Sequence, residues 1–108
     1  MHEQKDQKLS EIIRELAAEY FSRESNRQSL ITVTGIELLS HGSKARILMT
    51  VLPIEQEKSA IEFAQRQIVN FREYVMKKSR IGRIPFFEIA IDAGEKNRQR
   101  IDDLSKKV

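Results

Sequence analysis

The sequence predicts a single α+β domain of element order α-β-β-α-β, closed by a marginal terminal helix. Three observations carry this reading. The chain is 108 residues long, enough for one core and too short for a second. Its apolar residues change period along the chain, from helical three-and-four spacing to β-branched alternation and back. No repeats, low-complexity tracts or linkers interrupt that pattern. Three strands need cover on at least one face, and two amphipathic helices supply it.

The first helix is written in Leu9, Ile12, Ile13, Leu16, Ala17, Tyr20 and Phe21, which line one side, with Lys8, Glu11, Glu15 and Glu19 opposite. The polar run Ser22 to Ser29 predicts a loop. Leu30–Leu39 is dominated by Ile31, Thr32, Val33, Thr34 and Ile36, β-branched residues that favour a strand. Ser40-His41-Gly42-Ser43 reads as a turn, with Gly42 free to take positive φ. Lys44–Leu52 is the return strand, setting Ala45, Ile47, Met49 and Val51 against Lys44, Arg46, Leu48 and Thr50. Together they predict an antiparallel hairpin, stopped by Pro53.

Glu55 to about Arg80 reads as one long helix, its buried stripe formed by Ile61, Ala64, Ile68, Phe71 and Val75. Glu62/Arg66 and Glu73/Lys77 are spaced as i,i+4 ion pairs on the solvated side. Gly82 and Pro85 end this segment. Phe86–Ile91 is a third strand with Phe87, Ile89 and Ile91 on one face. Asp92-Ala93-Gly94 turns the chain into a short polar helix over Glu95–Lys107, weakly anchored by Ile101 and Leu104. Residues 1–6 and 105–108 are expected to fray.

Composition removes most chemistry. The chain is 40% hydrophobic but only 6% aromatic and has no Trp, which predicts a core of Ile, Leu and Val with a few Phe. It has no cysteine, which excludes disulfides and thiolate sites, and His2 and His41 alone do not make a zinc site. No window approaches the roughly 18 apolar residues of a membrane span. The N-terminus, MHEQKDQK, has no apolar signal core, so a soluble cytoplasmic monomer is expected. There is no Gly-rich phosphate loop, no HExxH and no nucleophile–base pair. Asp102-Asp103 reads as solvated charge and His41 as a surface turn residue. The expectation is therefore a non-enzyme with no cofactor, no metal and no small-molecule substrate.

The formal net charge is only +3, but its distribution is uneven. Residues 66–83 hold Arg66, Arg72, Lys77, Lys78, Arg80 and Arg83 against Glu73, a local balance of +5. Helical phase sets Arg66, Lys77 and Arg80 opposite the buried stripe, with Arg72 and Lys78 flanking it. Phe63, Asn70 and Tyr74 fall on a neighbouring strip, aromatic among cations. Such a face can take phosphates on its cations and stack a base on a ring. Read the bland way, it is a solvated helix whose two ion pairs consume Arg66 and Lys77, with Phe63 and Tyr74 at the edge of the core.

Taken in order, Leu9–Phe21 (LSEIIRELAAEYF), Leu30–Leu39 (LITVTGIELL), Ser43–Leu52 (SKARILMTVL) and Arg80–Ile91 (RIGRIPFFEIAI) resemble the ribosome-binding factor A family. The closing Asp92 and Arg100-Ile101-Asp102-Asp103-Leu104 fit the same spacing. The resemblance spans nearly the whole chain, 1–108, as one such domain. It implies a type II K-homology-like fold, α-β-β-α-α-β, with a three-stranded sheet covered by helices on one face. It also implies binding to 16S rRNA in the free small (30S) subunit during late maturation and rRNA processing. Arg72, Lys77, Lys78, Arg80 and Arg83 would engage phosphates, with Arg66, Lys44 and Arg46 as lesser candidates.

Two departures stand out. Where the family has an Ala-x-Gly kink between its second and third helices, this chain has Gln67-Ile68-Val69, residues that can continue an unbroken helix. Arg98 stands where Gly is usual. An unbroken helix would favour the alternative reading, a protein-interaction or structural module that keeps the fold without the RNA role.

Overall fold

The computed structural model describes residues 2–24 and 28–106. Residues 25–27 of the expected loop, positions 1, 107 and 108 of the ends expected to fray, and the side chains of Asp102 and Asp103 lie outside what is described. The elements are α1 (His2–Glu24), β1 (Leu30–Leu39), β2 (Lys44–Leu52), α2 (Glu57–Arg66), α3 (Ile68–Lys78), β3 (Phe86–Ile91) and α4 (Ala93–Lys106). The sheet runs in the order β1-β2-β3. β1 and β2 form the expected antiparallel hairpin, and β3 lies parallel to β2 on its other side. A parallel neighbour requires a long crossover, which α2 and α3 provide.

The sequence of β1 does not alternate strictly: Ile31 and Val33 are odd, Ile36 and Leu38 even. The sheet reconciles them with a bulge. Val33 pairs with Met49 and Gly35 with Leu48, leaving Thr34 as the extra residue. All four aliphatics then oppose the buried Val51, Met49, Ile47 and Ala45 of β2, on the face covered by helices. At the far end, Ser40, His41 and Gly42 turn the hairpin with φ of 52°, 56° and 84°. The expected positive φ at Gly42 is present, and its two predecessors share it.

The long helix expected from Glu55 to Arg80 is broken. A short turn at Ile54–Gln56 leads into α2, the chain breaks at Gln67, and α3 stops at Lys78. So the expectation of an unbroken run through Gln67-Ile68-Val69 is corrected, and the bend survives without Ala-x-Gly. The Gln67 N–H donates to Phe63 O and Ala64 O, both at 3.1 Å, while its carbonyl accepts the Phe71 N–H at 2.8 Å. The Gln67 side-chain oxygen accepts the Tyr20 hydroxyl at 2.7 Å, tying the break to α1. Ser79 then ends α3 in an extended conformation (φ −131°, ψ 166°), with its N–H bonded to Val75 O.

The core is the expected one of aliphatics with a few Phe, namely Phe21, Phe71 and Phe87, to which Tyr20 is added. Tyr20, Phe21 and Phe71 are in mutual ring contact, with centroids 5.2–5.5 Å apart, and Phe87 lies 4.9 Å from Phe71. The few aromatics are concentrated where α1, α3 and β3 meet, and Ile13, Ile47, Met49 and Val75 fill in around them. Each ring pair adds about 0.5–1.5 kcal/mol beyond its burial.

Asp92 joins the sheet to α4. Its Oδ2 accepts the Thr34 hydroxyl at 2.6 Å, and its Oδ1 accepts the Glu95 N–H at 3.1 Å, an N-cap arrangement. The Thr34 bond, followed by the Glu95 one, holds the Asp92 carboxyl below the ordinary carboxylate range. α4 continues through Arg98, which ion-pairs with Glu95 one turn earlier, so the absent Gly opens no break.

Two outcomes follow from this packing. Phe71→Ala should lower unfolding free energy by about 3–5 kcal/mol in urea titration, the range for removing a buried aromatic. Asp92→Ala should cost about 1 kcal/mol at neutral pH through loss of the cap. A depressed carboxyl stabilises above its ordinary value, about 3.9, and that contribution is lost as pH falls through the lower folded value. Asp92→Asn keeps an acceptor but should show a smaller acid loss than wild type when urea midpoints are compared from about pH 4 downward.

Candidate nucleic-acid interface

The eight candidate cations differ in setting: five lie along α3 and its exit loop, Arg66 ends α2, and Lys44 and Arg46 stand on β2. Buried Phe71 and Val75 point α3 inward, and this fixes where its charges go. Arg72 flanks the stripe toward β3. Its guanidinium donates to Pro85 O at 2.8 Å and lies 5.5 Å from the Phe86 ring centroid. Lys78 flanks the other side, 5.9 Å from the Tyr74 ring, which also receives Arg23 at 5.4 Å. Lys77 projects outward between them, exposed. Lys77 and Lys78 occupy the last turn of α3, where free carbonyls favour positive charge.

The exit loop extends the set. Ile81, Ile84 and Pro85 pack against or within the core, so the exposed Arg80 and Arg83 are held outward between them. Arg80 and Ile81 meet Lys8, Leu9 and Ile12 of α1 across a shallow groove, which adds Lys8 to this surface. Arg66 is exposed in the last turn of α2, on the other side of the break from Lys77.

The two expected helical ion pairs do not form: neither Glu62/Arg66 nor Glu73/Lys77 is among the contacts within 4.0 Å made by the described residues. Spacing permits these pairs, but on an exposed face the gain is too small to hold two long side chains together. Arg66 and Lys77 are therefore not consumed as anticipated.

Lys44 and Arg46 lie on the open face of the sheet. Lys44 meets Glu88 at 3.0 Å, and Arg46 meets Glu88 at 2.6 Å and Glu37 at 3.4 Å. The register explains this, since Arg46 sits opposite Glu37 on β1 and Glu88 on β3. The Arg46 bond, with Lys44 behind it, holds the Glu88 carboxyl below its ordinary range, and Glu88 raises Arg46 in return. These two cations are already matched by two acids.

The neighbouring aromatics resolve differently. Phe63 packs against the core. Tyr74 is half-buried against Tyr20, and its hydroxyl donates to Glu19 at 3.0 Å, which raises its ionisation above the ordinary tyrosine value. The aromatic that stands free is Phe86, 73% exposed. Alternation with the inward Phe87 places it on the outer face, a signal present in the sequence. Glu88→Gln should release Lys44 and Arg46 and lengthen retention on a heparin column at low salt. Unchanged retention would show that these two cations do not reach a polyanion.

Comparison with known proteins places this geometry. No curated protein gives a significant match. The crystal structure of ribosome-binding factor A from Thermus thermophilus superposes with a TM-score of 0.68 at 19% identity, over 77% of this chain and 90% of that one. A homology model of the Thermus thermophilus factor, fitted into the cryo-EM map of a 30S–RBFA complex, gives 0.64 at 19% identity, over 73% and 86%. A Thermotoga maritima protein solved by NMR under the same family heading gives 0.56 at 18% identity, over 81% and 82%. At such identities the likeness establishes the fold, which is K-homology-like as expected. In sequence, the family model of ribosome-binding factor A matches residues 5–105, and the chain belongs to that family.

Proposed function

We propose that this chain binds small-subunit (30S) ribosomal particles in the cytoplasm through 16S rRNA, assisting late maturation and rRNA processing as a non-catalytic monomer. The observation that carries the reading is the cationic end of α3. Lys77, Lys78, Arg80 and Arg83 project from one helix end and its anchored exit loop, none in an ion pair among the described residues. A homology model of a Thermus thermophilus relative of the same fold has been fitted into the map of a 30S complex. Arg72, Lys77, Lys78, Arg80 and Arg83 take phosphates in this reading. Arg66 lies on the other side of the break, and Lys44 and Arg46 are secondary because Glu88 and Glu37 already neutralise them.

Phosphate contacts of this kind supply affinity and orientation rather than base sequence. A binder that holds one rRNA conformation more tightly than its alternatives shifts the population toward it, with no bond made or broken. The alternative is an interaction module without an RNA role, supported by the altered kink; the break at Gln67 speaks for the RNA reading, although Gln67-Ile68-Val69 still stands in place of Ala-x-Gly.

Association with purified 30S particles should weaken on the order of a hundredfold between about 50 and 200 mM salt, as expected when about five cations release counterions. The triple variant Lys78→Glu, Arg80→Glu, Arg83→Glu should cease to co-sediment with free 30S particles. Binding that ignores salt, or that survives the triple reversal, overturns the reading.

A further inference from the structure

Phe86 is the most exposed large hydrophobic residue described, at 73%. It is not loose. Its N–H donates to Ser43 O at 2.9 Å, fixing the backbone at the start of β3. Arg72 reaches round the sheet edge to within 5.5 Å of the ring centroid while its guanidinium is tied to Pro85 O. Lys44 stands opposite Phe86 in the parallel register, and the exposed Arg83 lies just upstream in the exit loop. The acids on this face, Glu88 and Glu37, are already engaged by Lys44 and Arg46.

We propose that Phe86 is a stacking platform for an unpaired RNA base, steadied by Arg72, with Arg83 of the exit loop taking an adjacent phosphate. The proposal rests on the RNA-binding reading above and assigns it a residue outside the eight cations. An aromatic ring stacks on any base, so a single exposed ring among cations suits single-stranded RNA without sequence preference. A protein partner is the competing occupant, because Val69 and Met76 are also exposed on the side of α3 that carries Arg72. The cores of protein interfaces are, however, depleted of lysine and of charge generally. The ring carries the Arg72 guanidinium at 5.5 Å and follows the exposed Arg83 by three residues, which favours a polyanion.

The chain has no Trp, so Phe86→Trp introduces a sole tryptophan reporter. Titrating the full-length Phe86→Trp protein with a short oligouridylate should quench its emission, and a duplex of matched length should quench it far less. Phe86→Leu keeps an apolar side chain without the ring. It should weaken oligouridylate binding, read by anisotropy of a labelled strand, on the order of 5- to 100-fold, the size of one lost stack. Its thermal midpoint and the salt slope of binding should not change.

Phe86→Leu binding within about twofold of wild type overturns the proposal, as does strand binding without quenching. A tryptophan response confined to 30S particles, together with equal loss of 30S binding in Phe86→Leu and in Val69→Ser, Met76→Ser, assigns the strip to a protein contact and also overturns it. If wild type binds 30S particles with the expected salt dependence but position 86 reports nothing, only the platform fails. If wild type binds neither strand nor particle, the functional reading itself fails.

Discussion

The molecule depends on one ring. Phe71 is fully buried and touches Tyr20 and Phe21 of α1 and Phe87 of β3, so a single side chain on α3 holds the helical layer to itself and to the sheet. Its N–H closes on Gln67 O, the residue at which the crossover breaks, and Gln67 is tied in turn to Tyr20. The break and the packing centre are thus one turn apart and share a partner on α1. Because Phe71 and Val75 must face inward, the phase of α3 leaves no choice about where its charges go. Arg72 falls at the sheet edge, Lys78 beside Tyr74, and Lys77 into solvent.

The same constraint separates two kinds of positive charge. On the open face of the sheet, strand register sets Lys44 and Arg46 against Glu88 and Glu37, and the four compose a neutral ladder. At the end of α3 the cations meet no carboxylate within ion-pair distance among the described residues, because the only acid of that segment, Glu73, lies back along the helix. A modest net charge over the whole chain therefore coexists with a concentrated positive surface.

Most of the architecture could be read before the structure, since the period changes mark the elements and both strands of the hairpin carry their boundaries in β-branched residues and a turn. What escaped has a common cause. Gln67 is a good helix former in isolation, and its bond to a tyrosine 47 positions away has no signal in the local sequence. The bulge at Thr34 hides as imperfect alternation and becomes visible when β2 supplies the opposing row. The helical ion pairs met their spacing rule and still failed to close, as weak exposed pairs do. Phe86 was legible in phase but not in consequence: alternation turns it outward, whereas its cationic surroundings come from α3 and a loop.

The exit loop carries a thermodynamic implication. It is fastened at one end by the bonds of Ser79 to Val75 O and at the other by Arg72 on Pro85 O, with Ile81 and Ile84 packed inward between. The backbone bearing Arg80 and Arg83 has already surrendered most of its freedom during folding. Binding then has only the side chains left to order, so less of the attraction is spent on organising the loop. Preorganisation of this sort lets a small domain with few charges hold a polyanion that would release a flexible arm of the same composition.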